Sequence, residues 1–142
     1  NWDLVDNSAP LVTGAYLFHR AKKDASFDAA EVLDGWAAAD SVWLQRIAVL
    51  STFPFVRAGL HAHTLRLAQA LLDSPHDLIR KAVGWLLREV GKRDEPLLLR
   101  FLHEHERYRV MPRVMLRYAI ERLPPQTRHL ILHGMPFPVE KE

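Results

Sequence analysis

PHDLIRKAVG (75–84) aligns without a gap with SVWLQRIAVL (41–50) before it and with PRVMLRYAIE (112–121) after it. The segments share an arginine, an alanine two positions later and then a β-branched residue: Arg46, Arg80 and Arg117; Ala48, Ala82 and Ala119; Val49, Val83 and Ile120. They begin 34 and 37 residues apart, a period typical of repeats that consist of paired helices. The chain therefore has an internal helical repeat.

The apolar pattern predicts helices along the whole chain. Apolar residues recur every three or four positions, and no stretch shows the sustained alternation of a strand. Gly59, Gly91 and Gly134 stand where a left-handed residue would end a helix. The predicted fold class is all-α, with helices over residues 10–20, 27–38, 41–56, 62–72, 75–90, 95–105, 112–123 and 125–132.

The repeat also predicts the architecture. A single helical hairpin cannot bury both of its faces, whereas stacked hairpins share one continuous core, and a small alanine lets neighbouring helices approach closely. We therefore predict an α-solenoid of stacked HEAT-like repeats, whose second helices line a concave, partner-binding face. Residues 1–142 are expected to form a single domain, because this length suits one compact core better than two.

The composition limits the function classes. Hydrophobic residues make up 49% and charged residues 25% of the chain, which is a globular balance. The net charge of +2 permits a nucleic-acid partner without requiring one, and the lack of cysteine excludes disulfides, thiolate metal sites and cysteine nucleophiles. No apolar run reaches the roughly 18 residues of a membrane span. We expect a soluble, cytoplasmic protein that does not enter a membrane.

Trp85 is a candidate functional residue because of its position on the predicted helix 75–90. Lys81 precedes it by four residues and Arg88 and Glu89 follow it by three and four, so the indole is predicted at the edge of the polar face. The alternative is a tryptophan that packs sideways on a neighbouring hairpin.

Arg46 is a second candidate because its helical neighbours are apolar. Val42 and Leu50 lie one turn away on either side, and a guanidinium in such surroundings must form an ion pair or bind a ligand. The alternatives are a salt bridge to Asp34 or Asp40, and a phosphate gripped by two parallel hydrogen bonds.

The first six residues, NWDLVD, contain a possible pair of site residues. Trp2 and Asp6 are four apart, so on a helix both would project from one face toward a small target. The alternative is that Trp2 is a hydrophobic staple and Asp6 or Asn7 caps the next helix.

Other catalytic and metal motifs are weak or missing from the sequence. HAH (61–63) and HEH (103–105) have a spacing that points the histidine rings apart on a helix, so we predict no metal site. The sequence also has no phosphate-binding glycine loop, serine nucleophile elbow or HExxH motif.

Four segments together resemble the AlkD-type DNA alkylation-repair glycosylases, and KAVGWLLREVGKRD is the most specific part of the resemblance. The segments are NWDLVD (1–6), WLQRIAVLSTFPFVRAG (43–59), HDLIRKAVGWLLREVGKRDE (76–95) and MPRVMLRYAIERL (111–123). The resemblance implies an all-helical stack of HEAT-like repeats, in agreement with the repeat described above. It also implies a monofunctional glycosylase that removes 3-methyladenine and 7-methylguanine from double-stranded DNA, with no metal or other cofactor and without a base-flipping pocket.

The resemblance assigns three catalytic residues. The catalytic aspartate of the family falls on Asp6, and its two site tryptophans fall on Trp2 and Trp85. The chain departs from many relatives at Asn1, where they have another aromatic residue. An aspartate that faces DNA would be repelled by phosphates, so we expect Asp6 to face the transient positive charge of the deoxyribose.

The resemblance also places a DNA-contacting arginine at Arg46. We expect Lys81 and Arg88, the basic residues beside Trp85, to help bind the DNA backbone on the concave face. The family has helices before the NWDLVD position, so we expect this chain to be the C-terminal part of a longer protein, a monomer whose activity in isolation stays open. The alternative function is a non-catalytic HEAT-like module that binds DNA structure or scaffolds proteins.

Overall fold

The computed structural model describes residues 9–141, with side chains from Val12 onward. This part of the chain is helical and contains no strand, which confirms the all-α prediction. The chain divides into two compact units, residues 1–71 and 72–142, and each unit is described by itself. The single-domain organisation stays a prediction.

The first unit begins, among its described residues, with a π-helical turn, Ala9–Gly14. It continues with helices α1 (Ala15–Lys23), α2 (Ala29–Ala37), α3 (Val42–Leu50), α4 (Phe53–Arg57) and α5 (Ala62–Ala70). The α2 helix packs on α3 and on α5, and its buried core residues include Leu33. Asp28 and Ser41 cap α2 and α3, because their side-chain oxygens accept hydrogen bonds from backbone N–H groups in the first turns.

The predicted helix 41–56 is wrong in one respect, because the structure interrupts it at Ser51 and Thr52. The cause is Pro54, which has no N–H to donate and whose ring would clash with the carbonyl of Leu50 in a continuous helix. At the break, the buried Thr52 hydroxyl donates to the Val49 carbonyl at 2.7 Å and accepts from the Thr64 hydroxyl at 2.7 Å. The interruption therefore leaves no unpaired hydroxyl at Thr52.

The second unit contains α6 (Asp77–Arg93), α7 (Glu95–His103), a 3₁₀ turn (Glu104–Glu106), α8 (Arg107–Val110), α9 (Arg113–Ala119) and α10 (Pro125–Leu132). The α6 helix packs on α7 and, most extensively, on α9. Their shared core includes Ile79, Leu86, Leu102 and Met115, all fully buried. No helix in the described part of the chain combines the length and apolar character that a membrane crossing needs.

Two of the three predicted left-handed glycines are confirmed. Gly59 and Gly134 have φ angles of 83° and 67°, which favour glycine because it has no Cβ. The prediction for Gly91 is wrong, because α6 continues past it to Arg93. A Cβ on Gly91 would come within 2.5 Å of Leu98 Cδ2, so this glycine permits close packing of α6 on α7.

The alanine and β-branched positions of the repeat are buried in all three aligned segments. Ala48, Ala82 and Ala119 are buried, as are the residues that follow them, Val49, Val83 and Ile120. The arginines of the repeat differ from one another: Arg46 is buried, Arg80 is half-buried and Arg117 is exposed. The repeat therefore governs packing, whereas its arginines occupy three different environments.

Candidate functional site

The predicted site residues fall in three parts of the chain. Trp2 and Asp6 lie outside the described residues, so their catalytic roles stay predictions. Arg46 belongs to the first unit, and Lys81, Trp85 and Arg88 belong to α6 in the second.

The α6 helix separates an apolar stripe from a polar side. Ile79, Leu86 and Val90 are buried, and their spacing of seven and four residues, two turns and one turn of helix, places them on one stripe that faces the core. On the other side Lys81 is exposed and Trp85 is half-buried. The indole therefore stands at the edge of the polar side, as its position in the sequence predicts.

Arg88 is held by carboxylates on two sides. Its Nη1 donates to Glu121 Oε2 at 2.8 Å, and its Nη2 lies 3.6 Å from Glu89 Oε2. A DNA phosphate at Arg88 would have to compete with these two acceptors. Arg88 is therefore already charge-compensated in this conformation.

Glu89 is the centre of an ion cluster that the sequence analysis did not identify. It is only 4% exposed, and its carboxylate lies 3.3 Å from Lys92 Nζ and 3.2 Å from Arg93 Nη1. A buried carboxylate is tolerated only when cations and hydrogen bonds compensate it. The sequence indicates such a cluster only through the basic residues three and four positions after Glu89. This spacing does not show whether the cluster is buried or exposed.

Lys81 is the most available cation on α6. Its side chain is exposed, and within residues 9–141 it makes no ion pair or side-chain hydrogen bond. A phosphate could approach it without displacing a carboxylate. Of the two basic residues predicted on this helix, Lys81 therefore fits backbone binding better than Arg88.

Arg46 lies on α3 and is 8% exposed. One of the carboxylates considered as its partner, Asp34, accepts a hydrogen bond from Arg66 Nε at 2.8 Å. Little of the Arg46 guanidinium reaches the surface in this arrangement. A phosphate could therefore reach only the small exposed part of Arg46.

The histidine motifs do not form a metal centre among the described residues, where no group of three or more histidine, aspartate or glutamate side chains could hold an ion. His63 has a structural environment instead: its ring packs edge-on against Phe55, with centroids 4.7 Å apart. Its Nδ1 lies 3.0 Å from Arg66 Nη2, a geometry that suits a neutral imidazole accepting from the guanidinium. Burial and, after it, the Arg66 charge lower the pKa of His63.

This depressed pKa predicts a loss of stability on the acid side. Between the folded-state pKa of His63 and the ordinary histidine pKa of about 6.5, the unfolded chain binds more protons, so protonation favours unfolding. We expect the free energy of unfolding to fall as the pH drops below about 6.5, and His63→Gln to flatten that fall. Urea titrations at neutral and mildly acidic pH measure both. His105→Gln removes an exposed histidine and is the control; an equal flattening there would contradict the assignment to His63.

A comparison with protein families matches a model described as DNA alkylation repair enzyme over residues 1–123. The match includes NWDLVD, α3, α6 and α9. No curated protein matches the chain.

Proposed function

Because the chain belongs to the DNA alkylation repair enzyme family, we propose that it is a monofunctional DNA glycosylase. The substrates are cationic N3- and N7-alkylated purines in duplex DNA, chiefly 3-methyladenine and 7-methylguanine. The observation that supports this most is the extent of the family match, which covers every residue proposed for the site. A role in DNA alkylation repair follows from the family; the glycosylase reaction is the proposal.

The chemistry of the lesion explains why so few catalytic groups are needed. Alkylation at N3 or N7 leaves a positive charge on the purine, so the base departs readily and takes the electron pair of the C1′–N bond with it. Positive charge then develops on the deoxyribose, and water adds to C1′ and loses a proton, which leaves a neutral free base and an abasic sugar. A carboxylate fixed beside the sugar stabilises this charge electrostatically and orients the water. Asp6 is the proposed carboxylate.

The proposed tryptophans contribute the negative faces of their rings. An indole face attracts a nearby cation through its quadrupole, which suits both the alkylated purine and the charged sugar. Trp85 is half-buried at the edge of the polar side of α6, so the residue is partly packed and partly accessible. Trp2, four residues before Asp6, is proposed to act from the same short stretch.

Backbone binding is assigned to Lys81, Arg46 and Arg88, and the lesion need not leave the duplex. Three cavities in the second unit are lined mainly by charged and aliphatic residues. Their linings include one histidine but no tryptophan, tyrosine or phenylalanine. None of them therefore resembles a pocket that stacks a flipped base. The proposed mechanism is one in which the enzyme contacts the sugar and backbone.

The proposal is tested by measuring release of 7-methylguanine from alkylated duplex DNA, with the protein expressed from its full reading frame. Substoichiometric protein should release the free base over repeated turnovers and leave an abasic site. Binding of duplex DNA without base release would instead support the non-catalytic HEAT-like module.

Trp85→Ala is expected to slow single-turnover release of 7-methylguanine about 10-fold, the size of one partly desolvated cation–π contact. Affinity for undamaged duplex should change little, because the cationic base and sugar are absent there. Trp36→Ala, which removes another half-buried indole from α2, is the control for general loss of a tryptophan. Equal slowing in the two variants would contradict a specific role for Trp85.

A further inference from the structure

The polar side of α6 continues onto α9 within the second unit. The ion pair between Arg88 and Glu121, at 2.8 Å, joins α6 to the turn that follows α9. Gly84 allows the two helices to approach, because a Cβ there would lie 2.7 Å from the Tyr118 Cβ. We call the joint surface of Arg88, Arg117, Tyr118 and Glu121 the α6–α9 face.

Arg117 contributes an uncompensated cation to the α6–α9 face. It is exposed, and among residues 9–141 no carboxylate or carbonyl accepts from its guanidinium. Tyr118 beside it exposes 37% of its surface. Arg117 thus retains all of its donors for a ligand, unlike Arg88 on the same face.

An open groove of about 570 Å³ lies next to Arg117. It is lined by aliphatic residues together with three guanidinium groups and two carboxylates, those of Arg80, Arg113, Arg117, Asp73 and Asp77. Arg80 donates to the Ser74 carbonyl at 2.8 Å and lies 3.8 Å from Asp77, and Arg113 donates to the Leu132 carbonyl at 2.6 Å. Arg117 is therefore the arginine of this groove with the most free donors.

We propose that Arg117 binds a phosphodiester of the DNA backbone and extends the DNA-binding surface from α6 to α9. Arg117 is exposed, and a planar guanidinium with free donors can grip a phosphate through two parallel hydrogen bonds. Lys81, which is exposed on α6, is proposed as a second backbone contact. The assignment rests on the proposed DNA substrate and adds a backbone contact beyond the residues assigned from the family resemblance.

The test is the salt dependence of binding to an undamaged duplex, measured by fluorescence anisotropy with the protein expressed from its full reading frame. Arg117→Gln is expected to weaken binding about 3- to 10-fold and to reduce the slope of log affinity against log salt by about one. Arg109→Gln is the matched control, because Arg109 is exposed on α8 and already paired with Glu106 at 2.8 Å. It should leave affinity and slope unchanged.

Two further variants separate the possible failures. Lys81→Gln should also weaken binding, and Asp73→Asn should strengthen it about 2-fold, since it removes an exposed carboxylate from the groove. If Lys81→Gln weakens binding but Arg117→Gln behaves like Arg109→Gln, the assignment of Arg117 is wrong while the proposed function stands. If the parent protein does not bind duplex DNA, the proposed function fails and the Arg117 assignment fails with it.

Discussion

Asp6→Asn is expected to abolish release of 7-methylguanine from alkylated duplex DNA while leaving affinity for undamaged duplex unchanged. The substitution keeps the size of the side chain and removes the negative charge that would stabilise the developing sugar cation. Electrostatic groups of this kind change rates on the order of 100-fold or more when they are removed. Single-turnover assays measure the rate, and anisotropy measures affinity in the same preparation.

Asp3 provides the matched control for this experiment. It lies in the same stretch, NWDLVD, so Asp3→Asn makes the same chemical change three residues away. We expect it to excise at the parental rate. Excision by Asp6→Asn at the parental rate would show that the assigned role is wrong. Equal loss of excision activity in both variants would mean that the net charge of the segment matters, rather than the position of a single carboxylate.

The helical repeat was predictable because it depends on periodic burial. The recurring alanines, Ala48, Ala82 and Ala119, are all buried, as close helix packing requires. The errors arose where local backbone rules competed with that periodicity. Pro54 interrupts the helix predicted over 41–56, although the apolar pattern continues through it. Glycine is a residue type typical of helix ends, but Gly91 lies inside α6, where Leu98 packs closely against it.

The charged residues of the site were less predictable than the core. A helical wheel places Lys81, Arg88 and Glu89 outside the core stripe, but it cannot show which of them neighbouring groups enclose. The structure buries Glu89 and pairs Arg88 with Glu121, 33 residues away in the sequence. Such long-range pairing depends on how α6 crosses α9. Spacing alone therefore indicated a helix that bears candidate site residues, but not which cations on it stay available.

The crossing of α6 and α9 also leads to the largest predicted change in stability. Gly84→Ala is expected to lower the free energy of unfolding by about 1–3 kcal/mol, the usual cost of overpacking a close contact. A Cβ at this position would lie 2.7 Å from the Met115 carbonyl oxygen and 2.7 Å from the Tyr118 Cβ. Neither atom can move by rotation of a side-chain end, so α9 itself must shift. Urea unfolding of the purified variants measures the difference.

Two other helical glycines supply the comparison. Gly35 is exposed in α2, and a Cβ there would meet nothing within 4 Å. Gly35→Ala should therefore stabilise the protein by about 0.5–1 kcal/mol, the helix-propensity gain alone. The change in the free energy of unfolding for Gly91→Ala should fall between the changes for these two variants, because the nearest obstacle is the end of the Leu98 side chain. Stabilisation by Gly84→Ala equal to that of Gly35→Ala would mean that α9 does not pack this closely on α6. The continuity of the α6–α9 face, and with it the position given to Arg117, would then lose its structural basis.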